Sequence, residues 1–491
     1  MLVAYCLMSI PPLVRHMSSL LLIDEAGYGD SYIIYDVLHF RRTGTIYRDL
    51  SLPPYLPAQY SPMVYILYSL PGRIVAWESP FVGARLIVIA AFLGCIGIVI
   101  SIVRTLIPVR RVWVWAPLLV CSISSMWDWT LQIRGDFPGI CLSLLAIRLL
   151  LSRSRWAVPL AGICAGLAMQ FKITFVAAVI AGALWLLIRQ RWRHLATFAI
   201  LAALSSVALY LLYAVREPRM LSQIFALSPG IADVRGDLGF MDQAVSDLVV
   251  LLAVLALPLA VSRLWPGGAL IVMFAATSFA IAGLTDLQAG GNINYYFEGL
   301  FAVIPLAVLG VLRLLALARR HVTLGFFVVS LFGIHFVAPR AVLLFDRPAS
   351  RSVESRNELF RHVERVLQGR HIFSTVPRLA LLDPAPALME PYLLSYMQRL
   401  GKADPTIIAE RIRDSEFDVV ITAAAPGAWR GISHIGPDLH DAVAAAYEPQ
   451  CTLPGWLFHL PRDPRMLSKP LTQDLANIGC VPVPPGHAAS W

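Results

Sequence analysis

The first acids of the chain come as a doublet. In LLIDEAGYGDSYIIYDV (residues 21–37) an apolar run ends at Asp24 and Glu25, and Asp30 and Asp36 follow. Carboxylates in that position can take a proton from a hydroxyl, as a general base does. They can also cap a helix starting near residue 26, because acids are favoured at a helix N-terminus. Other polar residues stand at similar edges of apolar runs: Arg85, Arg134 and Asp136, Lys172, and the group Asn292, Asn294, Tyr295 and Glu298. Each has a plain structural reading beside a chemical one. Arg85 can pair with Glu78, and Arg134 with Asp136. Lys172 can snorkel from a helix end, and an Asn can cap a helix. A cation among apolar spans is costly, so it usually pairs or serves a pathway. Asp128, between Trp127 and Trp129, reads as part of an interfacial anchor without chemistry.

The elements that must hold these groups are membrane helices. Of 491 residues, 57% are apolar and 14% charged, and the mean hydropathy is +0.67. A soluble globular chain carries about 25% charged residues. The fold class is therefore mainly α, a polytopic membrane helix bundle. The net charge of +9 does not point to nucleic acid, because the excess sits in short loops between apolar runs. No zinc-like Cys/His spacing and no P-loop occur.

A membrane helix needs about 20 apolar residues. Apolar runs predict about eleven spans, at 1–14, 81–107, 112–131, 136–152, 157–171, 173–188, 194–214, 244–262, 267–285, 295–313 and 321–340. The first is poor, with Pro11, Pro12, Arg15 and His16. One helix over 157–188 would run about 48 Å, too long for a hydrocarbon core of about 30 Å. Two crossings with Lys172 at the turn fit better, and Gly162 and Gly166 give the first a face for close packing. Alternate loops carry Arg104, Arg110 and Arg111; Arg148, Arg153 and Arg155; Arg189, Arg191 and Arg193; Arg263; and Arg313, Arg319 and Arg320, with no acid among them. The positive-inside rule makes those loops cytoplasmic. The acids, from Asp24 to Glu298, then all face outward.

Two outer regions stand apart. Residues 15–80 form a long first outer loop: a helical pattern near 30–43, a proline-broken stretch at 47–62, and a short aromatic helix at 62–77 suited to lying in the interface. Such a loop, pressed on the bilayer, suits a lipid-borne substrate. Residues 346–491 read as a small α/β domain outside the cytoplasm, following a membrane domain at 1–345. Strands are expected at 371–382 and 417–425, and helices at 355–368 and 404–415, the last opened by Asp404 and Pro405. Residues 461–491 read as loop or tail. Five cysteines lie in or near apolar runs; Cys451 and Cys480 lie in the polar tail, where spacing leaves their pairing open.

In order along the chain, Asp24-Glu25, Gly44, Tyr47 and Asp49, Tyr60-Ser61-Pro62, Ala84-Arg85-Leu86, Arg134-Gly135-Asp136, AGICAGLAMQFKITF (161–175) and GGNINYYFEGLFAVIPLA (290–307) resemble GT-C glycosyltransferases. The likeness is to the bacterial group related to protein O-mannosyltransferases and to the aminoarabinose transferase of lipid A, often labelled family 39. It covers about residues 1–340; the N-terminus departs from it. The resemblance implies transfer of a sugar from a polyprenyl-phosphate carrier to a glycan, lipid or protein acceptor at the outer face of the bacterial inner membrane, with inversion at the sugar carbon. It makes Asp24 the base, with Glu25 assisting or orienting the acceptor. Lys172 and Arg134 become phosphate ligands, while Asp136, Arg85, Tyr60, Asn294, Tyr295 and Glu298 line the donor or acceptor groove. Mg²⁺ or Mn²⁺ suits so many outer acids, but no spacing is diagnostic. The competing readings are a transporter or flippase of lipid-linked sugars and a non-catalytic assembly subunit. A transporter would more often carry mid-span charges and repeated broken helices.

Overall fold

A computed structural model of the chain describes residues 2–25, 27, 29–50, 56–74, 79–107, 112–224, 239–262, 266–287, 292–320, 353–383, 406–423, 437–463, 465–466 and 469–483. The expected span at 321–340, Glu78 and the Asp404–Pro405 cap lie outside these residues.

The apolar runs fold as helices: α1 (Leu2–Met17), α2 (Asp30–Thr43), α3 (Pro62–Ser69), α4 (Pro80–Leu106), α5 (Trp115–Ser122), α6 (Asp136–Leu150), α7 (Ala157–Met169), α8 (Ala177–Ile188), α9 (Trp192–Arg216), α10 (Leu248–Ser262), α11 (Pro266–Asp286) and α12 (Phe297–Arg320). Among the described residues, four stretches are long and apolar enough to cross a membrane: Pro80–Leu106, Trp192–Arg216, Gly267–Asp286 and Ile293–Ala316. Shorter apolar helices occur at Val112–Ser122, Ala157–Met169 and Ile173–Ile188. In α9, Ile200, Leu204, Leu211 and Val215 are exposed, as a helix turned toward lipid requires.

The chain breaks between α7 and α8 at residues 170–172, as the length argument predicts. Lys172 is extended there, and a 3-10 turn at Ile173–Val176 leads into α8. α7 lies against α9 by its glycines: a Cβ on Gly162 would stand 2.7 Å from the Phe198 carbonyl oxygen, and one on Gly166 would stand 2.2 Å from that of Ala202. The expected span at 112–131 is not one helix. It is α5 followed by a 3-10 stretch at Ser124–Thr130. The apolar run reports burial, not helicity: Met126, Trp127 and Leu131 are buried in that irregular backbone.

The C-terminal residues β1 (Ile372–Ser374), β2 (Val419–Ala423), β3 (Tyr447–Leu453), β4 (Trp456–Pro461) and β5 (Val481–Pro482) form a sheet in the order β1-β2-β4-β3-β5, with β1 parallel to β2 and the other pairings antiparallel. Successive strand residues face opposite ways, and both faces are covered. Ile372, Val419 and Ile421 pack with Phe360 and Val363 of α13 (Val353–Leu367), and Leu471 and Leu475 of α16 (Lys469–Asn477) join them. Phe373 and Val420 pack with α14 (Thr406–Arg413) and α15 (Pro437–Ala446).

Two expectations for this region need correction. The strand expected over 371–382 stops at Ser374, whose hydroxyl takes the Val376 amide (3.0 Å), and Pro377 opens a single helical turn. Residues 461–491 are not all loop or tail. Leu471 and Leu475, four apart, bury one face of α16; Gly479 follows at φ +82°, a helix-ending conformation that favours glycine. Cys480 then bonds Cys451 of β3 (Tyr447–Leu453), and β5 (Val481–Pro482) pairs beside it.

Candidate active site

α2 begins at Asp30, four residues later than a cap at Asp24–Glu25 would require. Gly29, at φ +85°, is the residue before it. A side chain here would be strained, and its Cβ would stand 3.0 Å from Arg134 Nη2. Glu25 nevertheless serves the helix: its Oε1 accepts the Ser31 amide at 2.8 Å. Asp30 is fully buried, and its carboxylate accepts the amides of Ile133 (2.9 Å) and Gly27 (3.3 Å). Burial pushes Asp30 up to about 6, against the pull of Arg85 and Arg134. Burial likewise pushes Glu25 up to about 8; the Ser31 bonds oppose this, while Asp24 and Asp30 add to it.

Asp24 is different. It is half-buried, and among the described residues its carboxylate takes one hydrogen bond, from the next amide, Glu25 (2.7 Å). Burial raises its pKa, opposed by that amide and by the charges of Arg356, Arg378 and Arg85. Its backbone is fixed instead: Arg85 donates to the carbonyls of Leu22 and Asp24 and, at 3.4 Å, to that of Leu20. Arg85 is fully buried. It holds the acid-bearing loop by its backbone.

A second cluster gathers on residues 133–136. Asp136, buried at the start of α6, accepts from Lys172 Nζ (3.2 Å) and Asn294 Nδ2 (3.1 Å) through the same oxygen. Lys172 Nζ lies 3.7 Å from the centroid of the Tyr295 ring. Arg134 Nη1 donates to the Tyr60 hydroxyl at 2.8 Å. The two clusters share one backbone stretch, since Asp30 holds Ile133 and Arg134 lies against Gly29. Asn292 caps the following 3-10 turn through the Ile293 amide (2.8 Å). Glu298 does not join the outer cluster. It is buried in the bundle, where Ser278 of α11 donates to it at 3.2 Å.

Several supports have no local signature in the sequence. Glu217 Oε2 accepts the amides of Ile46 (2.8 Å) and Tyr47 (2.7 Å), and Gln223 Oε1 accepts that of Ala58 (2.9 Å). The segment after α9 thus shapes the proline-broken part of the first loop. Asp36 pairs with Arg48. The C-terminal unit also reaches the acids: Asn357 accepts the Ile23 amide (3.0 Å) and donates to the Leu21 carbonyl (2.9 Å).

No three His, Cys, Asp or Glu residues come together as a metal-holding group among the described residues. Glu25 and Asp30 are engaged by backbone amides.

No family model matches the sequence, and no curated protein matches it. Among solved structures, ArnT from Cupriavidus metallidurans in the apo state is similar over 94% of this chain and 98% of its own, with a TM-score of 0.63 at 13% identity. The same protein bound to undecaprenyl phosphate is similar over the same shares, with a TM-score of 0.61 at 11% identity. The apo oligosaccharyltransferase of Archaeoglobus fulgidus is more distant, with a TM-score of 0.49 at 13% identity over 95% of this chain and 75% of its own. This chain has the GT-C fold of ArnT.

Proposed function

We propose that the protein is an integral-membrane glycosyltransferase that moves a sugar from a polyprenyl-phosphate donor to an acceptor hydroxyl outside the cytoplasm. Asp24 takes the hydroxyl proton as the acceptor oxygen bonds to the anomeric carbon with inversion. The bond from that carbon to the phosphate oxygen breaks, and the polyprenyl phosphate leaves with the electron pair. Lys172 and Arg134 meet the charge that grows on it. Asp136 and Tyr295 aim Lys172; Tyr60 aims Arg134; Asn294 holds Asp136. Glu25 supports the loop from the start of α2, and Arg85 fixes its backbone. The unit from residue 346 onward is read as an extracytoplasmic α/β domain, and a disulfide at Cys451–Cys480 suits an oxidising compartment.

The observation that carries this reading is that residues 133–136 join Gly29 and Asp30, which follow the Asp24 loop, to the lysine–arginine cluster. That junction supports reading Asp24 and the two cations as parts of one site. The ArnT fold supports it, and ArnT has been solved with undecaprenyl phosphate bound. The test incubates purified protein in lipid with a panel of polyprenyl-phosphate sugars. Release of free carrier is expected from the wild type, and Asp24→Asn should lower it by roughly 10²–10⁴-fold while carrier binding persists. No release from folded wild type with any donor would overturn the reading in favour of transport.

A further inference from the structure

The loop that carries Asp24 is gripped from two sides. From the bundle, Arg85 of α4 holds the carbonyls of Leu22 and Asp24. From the C-terminal unit, Asn357 of α13 holds the Ile23 amide and the Leu21 carbonyl across more than 330 residues of sequence. Ile23 itself is buried in the core of the C-terminal sheet, with Phe360 and Leu379. Arg378 lies at the junction of these grips. Its guanidinium carbon is 4.6 Å from the Phe360 ring centroid, one turn from Asn357, and 5.5 Å from that of Phe81, one turn from Arg85. Beside it a cavity of about 310 Å³ opens between α2 and the C-terminal unit, lined in part by Tyr35, His39 and Arg42. Arg378 Nε is buried and has no hydrogen-bond partner among the described residues.

We propose that the C-terminal unit completes the acid site, Asn357 fixing the loop at Leu21–Ile23 and Arg378, seated between Phe81 and Phe360, serving as the positioning residue of the junction. The inference rests on Asp24 being the base. Two aromatic rings keep the guanidinium in place without neutralising it, so its field remains available to the acids. The charged and titratable groups around Asp24 are Arg85 from α4, Arg356 and Arg378 from the C-terminal unit, and Glu25 beside it; Asp30 of α2 acts on Glu25, and Glu25 acts on Tyr32. Arg378 also feels Glu364 of its own unit. Against burial, which favours the protonated acid, these cations favour the carboxylate. Each of them works against the burial that raises Asp24.

The test uses the full chain in lipid. Esterification by a diazo reagent consumes the protonated carboxyl, and peptide mass spectrometry reads its pH midpoint at Asp24. Arg378→Gln should raise that midpoint by roughly half a pH unit, and the acidic limb of turnover should move with it. Arg378→Lys should restore both. Asn357→Ala should speed hydrogen exchange at the peptide containing Ile23 about tenfold, with the melting temperature of the bundle little changed. A midpoint unmoved by Arg378→Gln in folded protein overturns the proposal, as does Lys behaving like Gln or unchanged exchange in Asn357→Ala. If wild type turns over no donor, the glycosyltransferase reading fails, while esterification and exchange still decide how the acid loop is held.

Discussion

Lys172 Nζ is 3.2 Å from Asp136 Oδ1 and 3.7 Å from the centre of the Tyr295 ring, so one ammonium is held by a carboxylate and an aromatic face from two different helical segments. The turn after α7 delivers the lysine, the start of α6 delivers the acid, and the turn before α12 delivers the ring. A cation held this way is aimed before any ligand arrives, which is what stabilising a leaving phosphate requires.

Lys172→Met is therefore expected to cut turnover by about 10²-fold or more and to lower the melting temperature, because Asp136 is left buried without its cation. Asp136→Asn should lower both as well. In the double variant the melting losses should be less than additive, since one interaction is removed once. Additive losses in a double-mutant melting cycle would show that the pair does not act as a unit. Binding of polyprenyl phosphate alone, measured by titration, should weaken in Lys172→Met and hold in Glu25→Gln.

Stability should fall as pH rises from acid to mildly alkaline. Burial raises Glu25 from 4.5 to about 8 and Asp30 and Asp36 from 3.8 to about 6. Between the unfolded and folded values, the native state keeps protons that the unfolded chain has released. The unfolded state binds fewer protons there, so stability declines with pH across that window. It is fully present below about pH 4 and is lost as pH passes each folded value. Among these three acids, Glu25 alone spans the stretch from about 6 to 8. Glu25→Gln keeps an oxygen for the Ser31 amide but carries no charge, so it should flatten the upper part of the decline. A melting temperature that rises from pH 6 to 8 would contradict the buried position of Glu25.

Much of this was legible in the chain where a local pattern carried it. α2 could be read at 30–43 because its apolar spacing is helical and Gly44 ends it, at φ +73°. The break at Lys172 followed from helix length alone. The cluster of Lys172, Asp136, Asn294 and Tyr295 was nameable as a set only through resemblance, since nothing local joins residues 136 and 294. The carbonyl contacts of Arg85 were not legible, because a buried guanidinium serving carbonyls looks, in sequence, like one awaiting an anion or a partner such as Glu78. Glu217, Gln223 and Asn357 were missed outright: each bonds backbone more than 160 residues away, and backbone partners have no residue type to search for. The run at 112–131 shows a limit of another kind, since apolar composition follows burial whether or not the backbone is helical.

The small-residue face of α7 can be tested against a glycine that lacks its constraint. A Cβ on Gly166 would meet the Ala202 carbonyl oxygen at 2.2 Å and the Ser205 hydroxyl at 2.1 Å. Backbone on a packed helix can yield only if the helices part. Gly166→Ala should then cost about 1–3 kcal/mol, read as a lowered melting temperature in lipid. Gly97 in α4 meets nothing within 4 Å, so Gly97→Ala should be neutral or stabilise by up to about 1 kcal/mol through helix propensity. Equal effects at the two positions would mean that α7 and α9 are not in contact at Gly166.

The Cys451–Cys480 bond makes a prediction about place as well as stability. It closes a loop with a sequence separation of 29, and its loss should cost about 3–4 kcal/mol in the chain-entropy view. Cys451→Ser and reduction of the intact protein should each lower the melting of the C-terminal unit. In freshly isolated membranes, quenched with an alkylating reagent and then denatured, both thiols should stay unlabelled until reduced. Cys95, Cys121, Cys141 and Cys164, which are free, should label without reductant. Because disulfides persist in oxidising compartments, the outcome also assigns a side of the membrane. Asn357 ties the same unit to Leu21 and Ile23, so the acid loop shares whichever side the disulfide occupies. Two free thiols in those membranes would move Asp24 to the reducing side, and with it the reaction proposed for the outer face.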